Sequence, residues 1–144
     1  MRITREQMWM EIAHVVARRG TCDRMHVGAV VTDASKTRAL SVGYNGNAAH
    51  LPNICDRHDT GNCGCLHAEL NALLKAPSGP PLILFTTYAP CEACAKAIIN
   101  AGVTHVYYAA LYRTMDGLTI LGRAGIGCER LLPHGALPAA EPLG

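Results

Sequence analysis

The chain has 144 residues, a formal net charge of +2, 49% apolar residues and 17% charged residues, with one Phe and one Trp. That length fits one domain around one core. The thin positive charge and the scarcity of aromatics argue against a strong nucleic-acid binder, which carries a dense basic stripe or a stacking platform, and no apolar run reaches the length of a membrane span.

Arg5 to Arg19 reads as an amphipathic helix, with Met8, Ile12, Val15 and Val16 at helical spacing and Gly20 as its stop. Val27–Thr32 and Arg38–Tyr44 are strand-like runs on either side of the polar segment Asp33–Thr37, which predicts an antiparallel hairpin. Asn45 to Cys65 is a long irregular stretch, a length that is usually functional or held by something other than its own packing. His67 to Ala76 is a short helix ended by Pro77. Leu82–Tyr88 is a continuous apolar strand, expected to be buried on both faces. Pro90 opens a helix at a favoured first-turn position, with Cys91, Cys94, Ala95, Ile98 and Ile99 on one face and Gly102 as cap. Val103–Ala110 is the next strand, and strand–helix–strand at this spacing makes a βαβ unit with parallel strands. Asp116–Ala124 is read as helical and Glu129–Leu132 as a last strand. These elements compose an α/β domain over residues 1–132. Its mixed sheet carries the hairpin on one side, parallel strands on the other and helices over both faces. A loose proline- and alanine-rich tail is expected over 133–144.

Seven cysteines are many for such a domain. The count is odd, and the first apolar stretch, interrupted by Glu11, His14, Arg18 and Arg19, does not read as a signal peptide. The expectation is a reducing cytoplasm, where clustered cysteines bind metal or take part in catalysis.

Two helix starts carry the chemistry. Cys91 and Cys94 are three apart, so both thiols project the same way. They lie where unpaired backbone N–H groups and the helix dipole favour an anion, and thiolate is the form that binds zinc. Alone, Cys-x-x-Cys is equally at home in a core, a redox motif or half a zinc site. His67-Ala68-Glu69 at the other helix start adds an imidazole. Two thiolates and one imidazole leave a fourth position open, as in catalytic zinc sites. There a water of lowered pKa could attack an electron-poor ring carbon, with Glu69 beside the metal moving protons. Residues two apart on a regular helix point almost oppositely, so His67 must sit at an irregular helix start for this to work. His-x-Glu followed by Pro-Cys-x-x-Cys is the signature of zinc-dependent nucleobase deaminases.

From about Trp9 to Tyr112 the chain resembles deoxycytidylate deaminases of the cytidine/deoxycytidylate deaminase family, and their late-competence-type bacterial relatives. The matching stretches are Thr21-Cys22, Val27-Gly28-Ala29-Val30, Gly43-Tyr44-Asn45-Gly46, His67 through Ala72, and Pro90-Cys91 through Cys94 to Gly102. The resemblance implies a cytidine-deaminase-like three-layer α/β/α sandwich, with His67, Cys91 and Cys94 as zinc ligands and Glu69 as proton shuttle. It further implies Asn45 near the nucleotide sugar and backbone around Val27, Gly28 and Ala29 lining the base pocket. It also implies a homo-oligomer, perhaps hexameric, and an allosteric dCTP/dTTP site near the Gly43–Gly46 turn in regulated members. The expected reaction is dCMP to dUMP plus ammonia, with Arg24 as a candidate for the phosphate. Rival readings are a deaminase of cytidine, guanine or tRNA adenosine, and a zinc-stabilised competence-type binding protein, against which the intact Glu69 argues. Two departures touch the substrate end: Ala89 before Pro90, and Ala110-Leu111-Tyr112-Arg113 after the last confident strand, where relatives tend to carry an acidic residue.

The remaining cysteines suggest a second, structural zinc. Cys55, Cys63 and Cys65 lie in the long loop, and Cys22 lies in the stretch shared with competence-type relatives, some of which carry a second zinc. The expected ligands are Cys22, Cys55 and Cys63, with His58 or Cys65 fourth. A closed four-ligand site would order a loop with little apolar content of its own.

Overall fold

The computed structural model describes residues 1–132, so the expected tail over 133–144 lies outside the described residues. Five strands form one sheet: β1 (Gly28–Asp33), β2 (Ala39–Tyr44), β3 (Leu82–Tyr88), β4 (Val103–Ala110) and β5 (Gly127–Arg130), in the order β2-β1-β3-β4-β5. β1 is antiparallel to β2 and β3, while β3, β4 and β5 run parallel. The mixed sheet and its βαβ unit are those expected from the sequence.

Side chains alternate across the sheet and meet helices on both faces. Val30, Ile83, Phe85 and Tyr107 pack under α1 (Arg5–Ala17) with Trp9, Met10 and Ala13. Ala29, Val31, Leu84 and Val106 pack on the other side against α2 (Ala68–Leu74), α3 (Glu92–Asn100) and α4 (Asp116–Arg123), through Ala68, Ala72, Ala95, Ile98 and Leu121. The result is a three-layer α/β/α sandwich. Covered on both sides, β3 is buried from Leu82 to Thr87, which is why it reads as unbroken apolar sequence.

The sequence misplaces the buried stripe of α1. Ile12 and Val15 are exposed, and Trp9, Met10, Ala13 and Ala17 face the sheet. The reason is close approach: a Cβ on Gly28 would lie 2.0 Å from the Ala13 carbonyl oxygen. Small residues therefore make the contact, and a search for large apolar residues passes over them. The helix starts in a capping box, with Thr4 Oγ1 accepting from Gln7 N–H and Gln7 Oε1 from Thr4 N–H. It ends at Ala17, two residues before the expected Arg19. β5 begins two residues earlier than expected, at Gly127, which pairs with His105. A Cβ at Gly127 would come within 2.4 Å of the imidazole Nδ1, so the strand starts where the missing side chain admits that ring.

Candidate active site

The starts of α2 and α3 meet beyond the carboxyl end of β3, where ligands collect in α/β folds. His67 is the N-cap of α2 with extended backbone, φ −71° and ψ 152°. That departure from helical geometry lets the imidazole and the Glu69 carboxylate converge. Cys91 is the N-cap of α3, and its Sγ accepts from the Cys94 N–H at 3.5 Å, so sulfur does the work of an N-cap oxygen. Pro90 thus stands just before the cap rather than in the first helical turn. His67 Nδ1 lies 3.2 Å from Cys94 Sγ and 3.5 Å from Cys91 Sγ. Zn–S bonds near 2.3 Å and Zn–N bonds near 2.0 Å in a tetrahedron put N and S about 3.5 Å apart. The donor set fits zinc, with the fourth corner left to a small ligand.

The electrostatics agree. The hydrogen bond from Cys94, then that from His67, lowers the Cys91 thiol to about 4, against burial. Cys94 is pushed the other way, by its bond to the Cys91 sulfur and by burial. One shared charge is the most two adjacent sulfurs hold without a cation, and a dication pulls both towards thiolate. Glu69 is 4% exposed, and burial raises its carboxyl above the usual range. It is not in the group of three ligands.

The cleft above these residues is lined by Met25, Val27, Asn45, Tyr88, Ala89 and Tyr112, with Arg24, Gly61 and Arg113 also on its wall. Asn45 is buried; its Oδ1 accepts from Val27 N–H and its Nδ2 donates to the Met25 carbonyl. The amide thereby fixes the backbone that forms one wall. Gly28 and Ala29, expected beside Val27 in the pocket, are not among the lining residues. Gly28 abuts α1 and Ala29 belongs to the core. Arg24 does reach the cleft, exposed, with Nη1 donating to the His58 carbonyl at 3.3 Å. The Gly43–Gly46 stretch is not a turn. Gly43 and Tyr44 end β2, and Gly46 bridges to Leu66. Tyr88 escaped the sequence reading, and Tyr112 and Arg113, expected only as part of a stretch at the substrate end, line the cleft itself. Their signal is topological: β3 and β4 are parallel neighbours, so the residues that follow β4 open at the same end as Pro90.

Cys22, Cys55, Cys63 and Cys65 form a second group, with all four Sγ atoms within 4.8 Å of one another. Cys22 Sγ lies 3.8 Å from both Cys63 and Cys55, and Cys65 lies 3.9 Å from Cys55. The edge of a ZnS₄ tetrahedron is about 3.8 Å. Of the two expected fourth ligands, Cys65 joins the group and His58 does not. His58 is exposed on the intervening loop. Gly64, at φ +92°, turns the chain between Cys63 and Cys65, and any Cβ there would overlap Asp56.

The profile of the cytidine and deoxycytidylate deaminase zinc-binding region matches residues 3–110, which include His67, Glu69, Cys91 and Cys94. The chain belongs to this family. Among relatives, the ComE operon protein 2 of Bacillus subtilis is 36% identical over 145 residues, covering 90% of this chain and 72% of that protein. The deoxycytidylate deaminase of Saccharomyces cerevisiae is 34% identical over 140 residues, covering 88% of this chain; the match spans only 44% of that enzyme. The crystal structure of the dCMP deaminase from cyanophage S-TIM5, in complex with dCMP and dUMP, superposes with a TM-score of 0.80 at 35% identity. It covers 91% of this chain and 99% of that one. The family binds zinc, and two groups of thiol and imidazole donors with zinc-like spacing stand in this fold. Among the described residues no helix is long and apolar enough to cross a membrane.

Proposed function

We propose that the chain hydrolyses dCMP to dUMP and ammonia, with His67, Cys91 and Cys94 holding the catalytic zinc. The observation that carries the reading is the buried Glu69, its carboxyl pushed up by burial, beside an open set of three donors, in a fold shared with a deaminase captured with dCMP and dUMP. Zinc bound there supplies a Lewis acid that lowers the pKa of water. Glu69 takes a proton from the attacking water and passes it to N3 of the ring. The C4–O bond forms in that step; Glu69 then carries the remaining hydroxyl proton to the exocyclic amine, and the C4–N bond breaks as the C4 carbonyl forms and ammonia departs. Val27, braced by Asn45, and Tyr88 and Tyr112 form walls that exclude bulk water from the ring. The test is ammonia release and the ultraviolet change on adding dCMP, alongside deoxycytidine, cytidine, CMP, dCTP, guanine and adenosine. Preference for dCMP over deoxycytidine at equal concentration is expected, and a wild-type protein that turned over both equally would remove the monophosphate from the reading. Release of no ammonia from any of them would favour a binding protein.

The four-cysteine group is the place for a second, structural zinc. Its spacing supports this, and so does its setting: residues 47–65 contain no helix or strand. Purified protein is expected to hold two zinc ions per chain. Cys22→Ser/Cys55→Ser should hold one and melt at lower temperature, since a closed site contributes folding energy. One zinc in both proteins, with equal melting temperatures, would leave the cluster as four reduced thiols.

A further inference from the structure

Cys22, Cys63 and Cys65 belong to the four-sulfur group and also line the cleft that holds Glu69. Cys63 and Cys65 are half-exposed, while Cys22 and Cys55 are buried. The same sulfurs therefore gather the loop over 47–65 and form part of the cleft wall. Cys65 lies two residues before His67. Between them, Leu66 is tied to Gly46: the Gly46 N–H donates to the Leu66 carbonyl at 3.1 Å, and the Leu66 N–H to the Gly46 carbonyl at 2.8 Å. A movement of Cys65 thus reaches the cap of α2 through a single residue. The sulfur contacts offer two disjoint pairs, Cys22 with Cys63 at 3.8 Å and Cys55 with Cys65 at 3.9 Å.

Oxidation of thiols follows thiolate character and exposure. Four thiolates around a dication keep a net charge of −2, whereas two thiolates and the imidazole of His67 around one leave none. Cys94 in the second set is also fully buried. The four-cysteine group is thus the more electron-rich of the two and has two half-exposed sulfurs on the cleft. We infer that it is an oxidation site that governs the cleft: a peroxide-class oxidant converts it into the disulfides Cys22–Cys63 and Cys55–Cys65. In each pair one thiolate attacks a peroxide oxygen, the O–O bond breaks, hydroxide leaves and the sulfur becomes a sulfenic acid. The partner thiolate attacks that sulfur, the S–O bond breaks and a second hydroxide leaves. Two thiolates lose two electrons and one peroxide gains them, giving one disulfide and, with two protons from solvent, two waters. Each pair draws in to about 2 Å, and since thiolate is the form that binds zinc, a metal held there is set free. Cys63 and Cys65 move, and the wall shifts against Glu69 and His67.

This inference rests on the second-zinc and deamination readings, and the experiment separates them. The zinc-loaded full chain carrying Cys128→Ser, which removes the exposed thiol, is treated with hydrogen peroxide at one molecule per cysteine pair of the group. Disulfides are mapped by mass spectrometry, zinc is counted, and hydrogen exchange is followed at the Gly46 and Leu66 amides. The expected result is oxidation of the group ahead of Cys91 and Cys94, with one zinc ion lost and one kept. Exchange at both amides should quicken, and dCMP turnover should fall roughly 10²-fold, the cost of displacing catalytic groups by about 1 Å. A thiol reductant with added zinc should restore all of these. Zinc content before oxidation tests the second metal, and turnover before oxidation tests the reaction; the disulfide map and the amide exchange decide the inference whichever of those readings fails. A Cys91–Cys94 disulfide formed first overturns it, as does a group that stays reduced. Disulfides within the group that leave exchange at Gly46 and Leu66 unchanged overturn it too, because the wall would then not respond.

Discussion

Glu69→Gln is expected to keep its zinc and its fold and to lose roughly 10²- to 10⁴-fold in turnover, the usual worth of a positioned general acid–base group. The substitution changes almost no volume at a buried site, and the carboxylate is not one of the three grouped ligands. What disappears is the ability to accept a proton from water and give it up again. The amide can still donate a hydrogen bond towards the ring, so ground-state binding should suffer less than kcat. Turnover, metal content and melting temperature measured on one preparation decide the matter. Turnover within a few-fold of wild type at full zinc occupancy would assign the proton transfers elsewhere. His67→Ala provides the contrast, with activity and catalytic metal lost together.

Gly43→Ala is expected to damage the site from a distance. Gly43 lies in β2 beneath α2, and a Cβ there would stand 2.4 Å from both the Ala68 carbonyl oxygen and the Ala72 nitrogen. Both are backbone atoms, so the whole helix must shift, and α2 carries Glu69 with His67 at its cap. Overpacking of this kind costs about 1–3 kcal/mol, while displacing catalytic groups by about 1 Å can cost 10²-fold in rate. Activity should therefore fall further than stability does, measured where the variant remains folded. Gly122→Ala is the control. Nothing lies within 4 Å of its added Cβ, and in a helix alanine is the better residue. A Gly43→Ala protein equal to wild type in both readouts would show that α2 has room the structure does not reveal.

Strands β3 and β4 were legible to the residue, because burial on both faces leaves an unbroken apolar run between clear stops. The grouping of His67, Cys91 and Cys94 was legible because its donor chemistry is written in spacing, and the need for His67 to stand outside regular helix followed from the same spacing. What escaped was whatever depends on closeness between distant segments. Ala13 and Ala17 bury because Gly28 lets α1 approach. Gly43 looked like half of a turn and is a packing surface. His58 and Cys65 were equal candidates by position in the loop, and only the backbone turn at Gly64 brings Cys65 to the other thiols. Arg113 sits at the edge of the family resemblance, and its reach into the cleft depends on which strand lies next to β3.

Every donor atom of both sulfur groups comes from the stretch between Cys22 and Cys94, ahead of β4 and β5 in the chain. During synthesis, which proceeds from the N-terminus, all seven donors are exposed before the parallel partner of β3 exists. Non-local pairing of that kind is the slow part of folding. A cation that gathers Cys22 with Cys65, or His67 with Cys94, closes loops that the sheet would otherwise close later, and shortens the search left to the remaining strands. A metal ion bound at either group during synthesis would thus act on the folding of this chain as well as in the finished protein.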